Sequence, residues 1–356
     1  MQIYQIDAFA KELFQGNPAA VVPLPEWLPD DLMQRIAMEN NLAETAFFIP
    51  EGDDFVIRWF TPATEVDLCG HATLASGHVL FEHLGYKGDL IRFRSLKSGF
   101  LAVSRDKAAA GAPATTPTTS ATGAIATTPS TSATAPPTPV APTLLTLNFP
   151  AGAPQPVDPA PLVAIFEGLG ISPHPLFKGP FDYMVVLDDP DAVSALRPDF
   201  KLLATAPARG VVVTAPGVAS GPAAPNPGAG ASPSPTPNLA SSPIPSPAPG
   251  SSSASKPNSG ASPNSTPNQA SSPTPNSAPP DFVSRCFFPQ SGIDEDPVTG
   301  SAHTMLVPYW AARLGKQHLT AIQLSARRGY LDCRLEGDRV YISGYAKTFM
   351  KGEILL

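Results

Sequence analysis

The sequence predicts an α+β protein with two similar halves, each formed by a curved sheet around a central apolar helix. The main observation is an internal repeat: residues 65–85 and 295–315 share Gly, Ala and a final Leu-Gly pair at a constant shift. Upstream, residues 56–62 resemble residues 283–289, so several matches occur in one order and indicate a duplication. The segment after each Gly-containing turn is also apolar nearly all round, which is typical of a buried helix.

Composition and charge narrow the class of protein. The chain has 356 residues and a net charge of −7 without a basic run, so nucleic-acid binding lacks its usual electrostatic signature. No stretch approaches the roughly 18 consecutive apolar residues of a membrane span. Residues 1–9 alternate like a strand, which leaves no room for a signal peptide. Three cysteines, far apart in sequence, favour a reduced, cytoplasmic location.

Two low-complexity segments interrupt the halves. Residues 107–142 and 216–280 consist almost wholly of Ala, Thr, Ser, Pro, Gly and Asn. Such segments lack the aromatic and branched apolar residues that offset the entropy of ordering, so both are predicted to be disordered. Each falls at the tip of a predicted hairpin, where a long insertion costs little stability. The predicted domains are residues 1–150 and 151–356, each with one disordered hairpin insertion.

The N-terminal half alternates strand and helix patterns. Residues 1–9 and 19–22 are expected to be strands, and residues 29–41 a helix. Residues 43–60 form a predicted hairpin, which leads through the Gly-containing turn into a helix over residues 70–84.

The C-terminal half repeats this plan less regularly. Its predicted strands are residues 183–187, 210–214 and 282–288. Residues 191–203 are predicted to form one helix, and residues 300–314 form the second central helix. Pro308 is expected to kink that helix, because proline removes a helical hydrogen bond.

The two Gly-containing helix starts are the first candidates for a binding site. A helix N-terminus offers free N–H groups and a positive dipole, and glycine lets a ligand approach the backbone. Gly70, His71 and Ala72 at one start and Gly300 and Ser301 at the other would clamp a small carboxylate if the termini converge. Alternatively, the glycines end strands and His71 and Ser301 are N-terminal caps. The duplication favours convergence.

Glu44 is the first candidate for chemistry. It lies in the otherwise apolar run of residues 42–48, where a desolvated carboxylate could hold or release a proton near neutral pH. Alternatively, it faces solvent on a half-exposed strand. Its counterpart in the second half is about Arg209 or Gly210, so the repeat holds no second copy.

Other polar residues near the turns give weaker signals. Asp67 and Asp296 could orient a substrate amine or hydroxyl, or bond the turn backbone. Cys69 lies at a helix start, a position that lowers a thiol pKa, but its counterpart is Thr299, so there is no thiol pair.

Cofactor and metal motifs are absent from the sequence. No phosphate-binding Walker loop and no dinucleotide Gly motif after a strand occurs, so no nucleotide cofactor is predicted. The candidate metal ligands lack a tight spacing, and no metal is predicted; they are Cys69, His71, His78 and His83.

Four motifs together resemble one known family. They are IDAF at 6–9 with FQGNPAAV at 14–21, NLAETAF at 41–47, LCGHATLA at 68–75, and EDPVTGSAH at 295–303. In this order they resemble the PhzF-like, or phenazine-biosynthesis-like, proteins of the diaminopimelate epimerase-like superfamily. The resemblance covers the chain outside the two low-complexity segments.

The resemblance implies a diaminopimelate epimerase-like fold of two similar domains, each a β-barrel-like sheet around a central helix. It also implies an active site between the two domains, a homodimer and no cofactor. The namesake isomerase shifts a proton within dihydro-hydroxyanthranilate, with a glutamate that matches Glu44 as the acid/base. Its supporting residues match His71, Asp296 and Ser301, all retained here. The expected catalytic residues are therefore Glu44, Asp296 and His71, and the expected substrate-binding residues are Asn17, Gly70, Ala72, Gly300 and Ser301.

Three hypotheses follow for function. The first is an isomerase in which Glu44 moves a proton between carbons of a small carboxylated metabolite. The second is a racemase or epimerase that uses Glu44 with Cys69; a two-thiol mechanism is disfavoured because Thr299 replaces the second cysteine. The third is a non-catalytic protein that binds a small molecule with the same fold. The natural substrate does not follow from the sequence.

Overall fold

The computed structural model describes residues 1–106, 143–218 and 278–356. The predicted disorder of residues 107–142 lies outside the described residues, as does that of residues 219–277 within the second segment. The division into domains at residues 150 and 151 stays a prediction.

Within residues 1–106 and 143–150, eight strands and two helices form the N-terminal half. The strands are β1 (Gln2–Ala8), β2 (Asn17–Pro23), β3 (Glu44–Glu51), β4 (Asp54–Phe60), β5 (Glu65–Val66), β6 (Leu90–Ser95), β7 (Gly99–Asp106) and β8 (Leu144–Pro150). The helices are α1 (Asp30–Asn40) and α2 (Gly70–His78), and α2 continues as a π-helical turn over Val79–His83. Two acidic residues favour the start of α1, and Asn41, which follows its last residue, has a left-handed conformation that ends the helix.

In the described part of the C-terminal half there are nine strands and four helices. The strands are β9 (Gln155–Val157), β10 (Leu176–Lys178), β11 (Tyr183–Val186), β12 (Val211–Pro216), β13 (Phe282–Phe288), β14 (Ile293–Asp296), β15 (His318–Gln323), β16 (Gly329–Glu336) and β17 (Arg339–Glu353). The helices are α3 (Val163–Leu169), α4 (Pro190–Ala195), α5 (Phe200–Leu203) and α6 (Gly300–Leu314). Short 3-10 turns cover Ala160–Leu162 and Pro289–Ser291.

The N-terminal half is a closed barrel. Its strands pair in the order β1, β2, β3, β4, β6, β7, β8 and β17, and β17 pairs with β1 again. Every residue of α2 is buried, and the helix packs against β1, β2, β3, β7 and β8. A helix without a polar face therefore lies inside a sheet, as the sequence pattern predicts.

The C-terminal half repeats the same pairing scheme. The parallel pair β2–β3 corresponds to β11–β12, and the parallel pair β4–β6 corresponds to β13–β15. The antiparallel pairs that follow also correspond, with β15–β16 and β16–β17 matching β6–β7 and β7–β8. The predicted α+β architecture of two pseudo-symmetric, barrel-like halves around central helices is confirmed.

The structure corrects two predicted helices. Residues 191–203 form two short helices, α4 and α5, because Pro198 lies between them and Leu196 is already extended. The first central helix is α-helical only to His78, and the following residues form the π-helical turn.

Pro308 does not interrupt α6, which is continuous from Gly300 to Leu314. Proline cannot donate a hydrogen bond to the carbonyl of Thr304, four residues earlier. The Gly152 N–H donates to that carbonyl instead, at 2.9 Å. A neighbouring segment thus satisfies the group that the proline leaves unpaired.

The two central helices share one hydrophobic core. Leu74 and Leu80 of the first half belong to the same buried cluster as Leu306 and Trp310 of the second. No helix within the described residues has the length and apolar character needed to cross a membrane.

Candidate active site

The two central helices begin beside each other. A Cβ atom added at Gly70 would lie 3.4 Å from the Gly300 Cα, and one added at Gly300 would lie 3.5 Å from the Gly70 Cα. Both glycines are buried. The convergence of helix starts that the repeat predicts is therefore present, and the positive ends of both helix dipoles lie at one place.

A cavity of about 600 Å³ opens at this junction. The residues that line it come from both halves: Glu44, Thr61, Glu65, Val66, Asp67, Leu68, Cys69, Gly70, His71, Lys97, Ser98, Phe181, Arg209, Phe288, Ser291, Ile293, Asp296, Thr299, Gly300 and Ser301. Of the residues predicted to bind substrate, Ala72 and Asn17 do not line the cavity and are fully buried. Ala72 could reach a ligand only through its backbone, and Asn17 contacts His71 and Asp296 without lining the cavity.

Glu44 lies at the start of β3, where it pairs in parallel register with Ala19 of β2. Its side chain is only 12% exposed, and Oε2 lies 3.2 Å from Nε2 of His71. Apart from this contact, the buried oxygen is unpartnered, and it accepts no hydrogen bond from any described residue. Glu44 is thus a cavity residue and does not occupy a solvent-facing position on the strand.

His71 joins Glu44 to the second half of the molecule. Its Nδ1 lies 3.1 Å from Nδ2 of Asn17, and the same Asn17 nitrogen donates to Asp296 Oδ1 at 2.7 Å and to the Val298 carbonyl at 3.0 Å. Three acceptors around one amide nitrogen determine how the amide is oriented. In the neutral ring, Nδ1 therefore accepts from Asn17, and the Nε2 proton faces Glu44.

The charges in this group depend on one another. Burial opposes a charged His71, but electrostatic interactions and hydrogen bonding with Cys69 and Glu44 raise its pKa well above the usual value. Burial raises the pKa of Asp296 to about 6; His71 opposes this change and Glu44 adds to it. Hydrogen bonds from Thr299 and Asn17 also favour the charged carboxylate and lower this pKa. Asp296 can therefore change its charge near neutral pH.

A second set of contacts positions Asp296. Thr299 Oγ1 donates to Asp296 Oδ2, and the Thr299 N–H donates to Gln323 Oε1 at 2.8 Å. Gln323 Nε2 donates in turn to the Asp296 carbonyl at 2.7 Å. The sequence analysis missed Gln323. Its signal was a polar residue at the end of an apolar strand, at the position where Ser95 ends β6 and contacts the Asp67 carbonyl.

Cys69 is a neutral thiol in this environment. Its side chain is buried, and Sγ lies 3.5 Å from His71 Nδ1. Burial, with a contribution from the Glu44 charge, raises the pKa of Cys69 to about 11. This direction is opposite to the lowering predicted from its place at a helix start, because desolvation outweighs the helix dipole.

Glu44, Cys69 and His71 are also the set of possible metal ligands found within the described residues, with their ligand atoms all within 4.8 Å of one another. Each of the three also contacts another of them, since Glu44 Oε2 lies 3.2 Å from His71 Nε2 and Cys69 Sγ lies 3.5 Å from His71 Nδ1. His78 and His83 are separate from it, since their Nε2 atoms lie 2.9 and 2.7 Å from Thr348 Oγ1.

Asp67 and Ser301 also line the cavity, but their contacts are with residues other than Glu44. Asp67 is largely exposed and pairs with Lys97 at 2.9 Å, so it does not mirror Asp296. Ser301 lies in the first turn of α6, and its carbonyl accepts from Thr304 Oγ1 at 2.7 Å. The structure therefore brings Glu44, His71 and Asp296 together through Asn17.

Comparisons with known proteins agree with the resemblance. The sequence profile of the phenazine biosynthesis-like protein family matches residues 6–224 and 257–352. An uncharacterized isomerase of Pseudomonas aeruginosa is 38% identical over 100% of this chain and 99% of that protein. An uncharacterized isomerase of Halalkalibacterium halodurans is 34% identical over 99% of this chain and 98% of that protein.

A solved structure agrees as well. The crystal structure of a PhzF-family phenazine biosynthesis protein from Enterococcus faecalis has a TM-score of 0.70 and 34% sequence identity, and the match covers 100% of this chain and 99% of that one. These relatives confirm the prediction of an isomerase. The chain belongs to the phenazine biosynthesis-like protein family.

Proposed function

We propose that this isomerase moves a proton between two carbons of a small carboxylated substrate, with Glu44 as the acid/base and without a cofactor. The observation that carries the proposal is the Glu44 carboxylate on the cavity wall, 3.2 Å from the His71 imidazole. A carboxylate and an imidazole in contact share a transferable proton, and this is the requirement of general acid/base catalysis.

The reaction needs one C–H bond to break and another to form. Glu44 takes a proton from one carbon, the electron pair shifts along a neighbouring double bond, and Glu44 returns the proton to a different carbon. His71 stabilises the carboxylate while it is charged. Asp296, with its pKa raised to about 6, is suited to hold or accept a proton at a polar group of the substrate.

The substrate carboxylate belongs at the converging helix starts. Gly70 and Gly300 have no side chains to cover the backbone there, and the first N–H groups of each helix have no partner within the helix. Ser301 lines the cavity beside them and can add a hydroxyl donor. The proposed binding residues are thus Gly70, Ala72, Gly300 and Ser301, with Asn17 positioning His71 and Asp296.

The racemase alternative has less support. It requires Cys69 to act as a thiolate, whereas burial raises its pKa to about 11. Thr299, at the place of a second thiol, instead donates to Asp296. We also propose a homodimer in the cytoplasm; the three cysteines are free and buried, which fits a reducing compartment. Light scattering after size exclusion tests the dimer.

Solvent exchange tests the chemistry without a known substrate. The enzyme is incubated with metabolite extract or a library of carboxylic acids in deuterated water, and mass spectrometry detects deuterium in the products. Glu44→Gln keeps the size of the side chain but cannot carry the proton, so we expect exchange to disappear while folding is retained. The matched control is Glu51→Gln at the other end of β3, where Glu51 pairs with Arg94 outside the cavity.

Two results decide between the hypotheses. Exchange at the wild-type rate in Glu44→Gln would contradict the proposal. Binding of a carboxylate without exchange in the wild type would favour the non-catalytic binding protein.

A further inference from the structure

One arginine of the cavity wall, Arg209, has an environment that differs from that of an ordinary surface arginine. Arg209 lines the cavity and is 47% exposed, while its partner Asp182 is 3% exposed. Arg209 Nε donates to Asp182 Oδ1 at 2.9 Å, and Nη2 donates to Oδ2 at 2.6 Å. This two-point contact fixes the plane of the guanidinium group.

Two aromatic rings hold the same guanidinium group. Its central carbon lies 5.1 Å from the centre of the Phe181 ring and 5.6 Å from that of Phe288. Both rings also line the cavity. The cation is therefore oriented by a buried carboxylate and two rings, and little conformational entropy remains to be lost when a ligand binds.

One edge of the guanidinium group remains available. The contacts to Asp182 use Nε and Nη2, and no hydrogen bond from Nη1 occurs within residues 1–106, 143–218 and 278–356. Lys97, which also lines the cavity, pairs with Asp67, a carboxylate that is 72% exposed. Arg209 is the more firmly oriented of the two cations, because its carboxylate partner is buried and two rings contact it.

The internal duplication places Arg209 next to the counterpart of Glu44. The start of β12 corresponds to the start of β3, so Gly210 corresponds to Glu44. A Cβ at Gly210 would lie 2.2 Å from the Phe288 ring and 2.9 Å from Asp182 Oδ1, so only glycine leaves room for the support of Arg209. One half therefore presents an acid to the cavity, and the other presents a cation at the neighbouring position.

We propose that Arg209 binds a second anionic group of the substrate, so that the substrate class is a dicarboxylate. The inference rests on the proposed function for the first carboxylate, at the helix starts. A cavity of about 600 Å³ has room for a carbon chain or ring between two carboxylates. The helix starts and Arg209 supply two positive poles for two negative groups.

Paired ligands test the proposal by binding alone. Glutarate, adipate and pimelate are compared with their monomethyl esters, which keep the chain length and remove one charge, by calorimetry on the full-length protein. We expect at least one diacid to bind roughly tenfold more tightly than its monoester, as one charge-assisted hydrogen bond allows. Arg209→Gln should bring the two affinities to within about threefold of each other.

Two further variants separate recognition from folding. Arg209→Gln combined with Asp182→Asn avoids leaving a buried unpaired carboxylate and should show the same loss of preference. The matched control is Arg334→Gln: Arg334 is 53% exposed, pairs with Glu336, and lies 4.8 Å from the Tyr341 ring outside the cavity. It should keep the preference for the diacid.

The outcomes distinguish this inference from the proposed function. Three results would each overturn the dicarboxylate proposal. The first is equal affinity of every diacid and its monoester, and the second is that none of the three diacids binds. The third is a preference for the diacid that persists in both Arg209 variants. None of these results depends on turnover, so deuterium exchange that requires Glu44 would remain valid. Conversely, selective diacid binding without exchange would leave the Arg209 site intact and remove the isomerase mechanism.

Discussion

Asp296→Asn should stabilise the protein at neutral pH. Asp296 is buried, and its pKa is raised from 3.8 to about 6. A group whose pKa is raised on folding stabilises the folded protein at a pH below the pKa of the unfolded state, and this stabilisation is lost as the pH rises through the pKa of the folded state. The difference between the two pKa values of Asp296 corresponds to about 3 kcal/mol of unfolding free energy, most of which is lost between about pH 4 and pH 7.

The measurement is urea unfolding of the wild type and Asp296→Asn from pH 4 to pH 8. Since Asn carries no charge, the unfolding free energy of the variant should fall less steeply with pH, by about 2 kcal/mol over this range. Asp31→Asn is the control, because Asp31 is 75% exposed and its ion pair with Arg35 contributes little. Parallel curves for the wild type and Asp296→Asn would refute the assignment of a proton to Asp296 near pH 6.

Two other predictions concern the thiol and the low-complexity segments. Cys69→Ser should keep most of the deuterium-exchange activity, because the pKa of the thiol is raised to about 11 and no second thiol faces it. A variant that incorporates no deuterium would favour the racemase. Replacing residues 107–142 and 219–277 by short turns should leave the melting temperature, measured by calorimetry, within a few degrees of the wild-type value. The reason is that the flanking strand pairs close at Asp106 with Leu144 and at Pro216 with Phe282. A loss of soluble protein on expression, or a larger fall in melting temperature, would contradict this.

The repeat in the sequence predicted the centre of the molecule well. Matching glycines at residues 70 and 300 indicated two helix starts, and the structure places them in contact. This worked because the duplication constrains both halves by the same local pattern. The catalytic and binding roles of Glu44, His71 and Asp296 stay predictions, although their side chains do meet.

Long-range contacts explain what the sequence could not predict. Asn17 and Asp296 are 279 positions apart, and no periodicity within a strand or helix encodes their hydrogen bond. The burial that makes Cys69 a neutral thiol likewise depends on the packing of both halves. Pro198, by contrast, was a local signal that should have divided the helix predicted for residues 191–203.

The last strand has a consequence for synthesis. The first residues of β17, from Arg339 to Tyr345, pair with β8, while the residues from Ala346 to Glu353 pair with β1. The N-terminal barrel is therefore closed by residues 346–353, which lie far from β1 in the sequence. During translation, β1 is made long before these residues and lacks its β17 partner until they emerge. A nascent chain must keep that edge from pairing with other strands throughout synthesis.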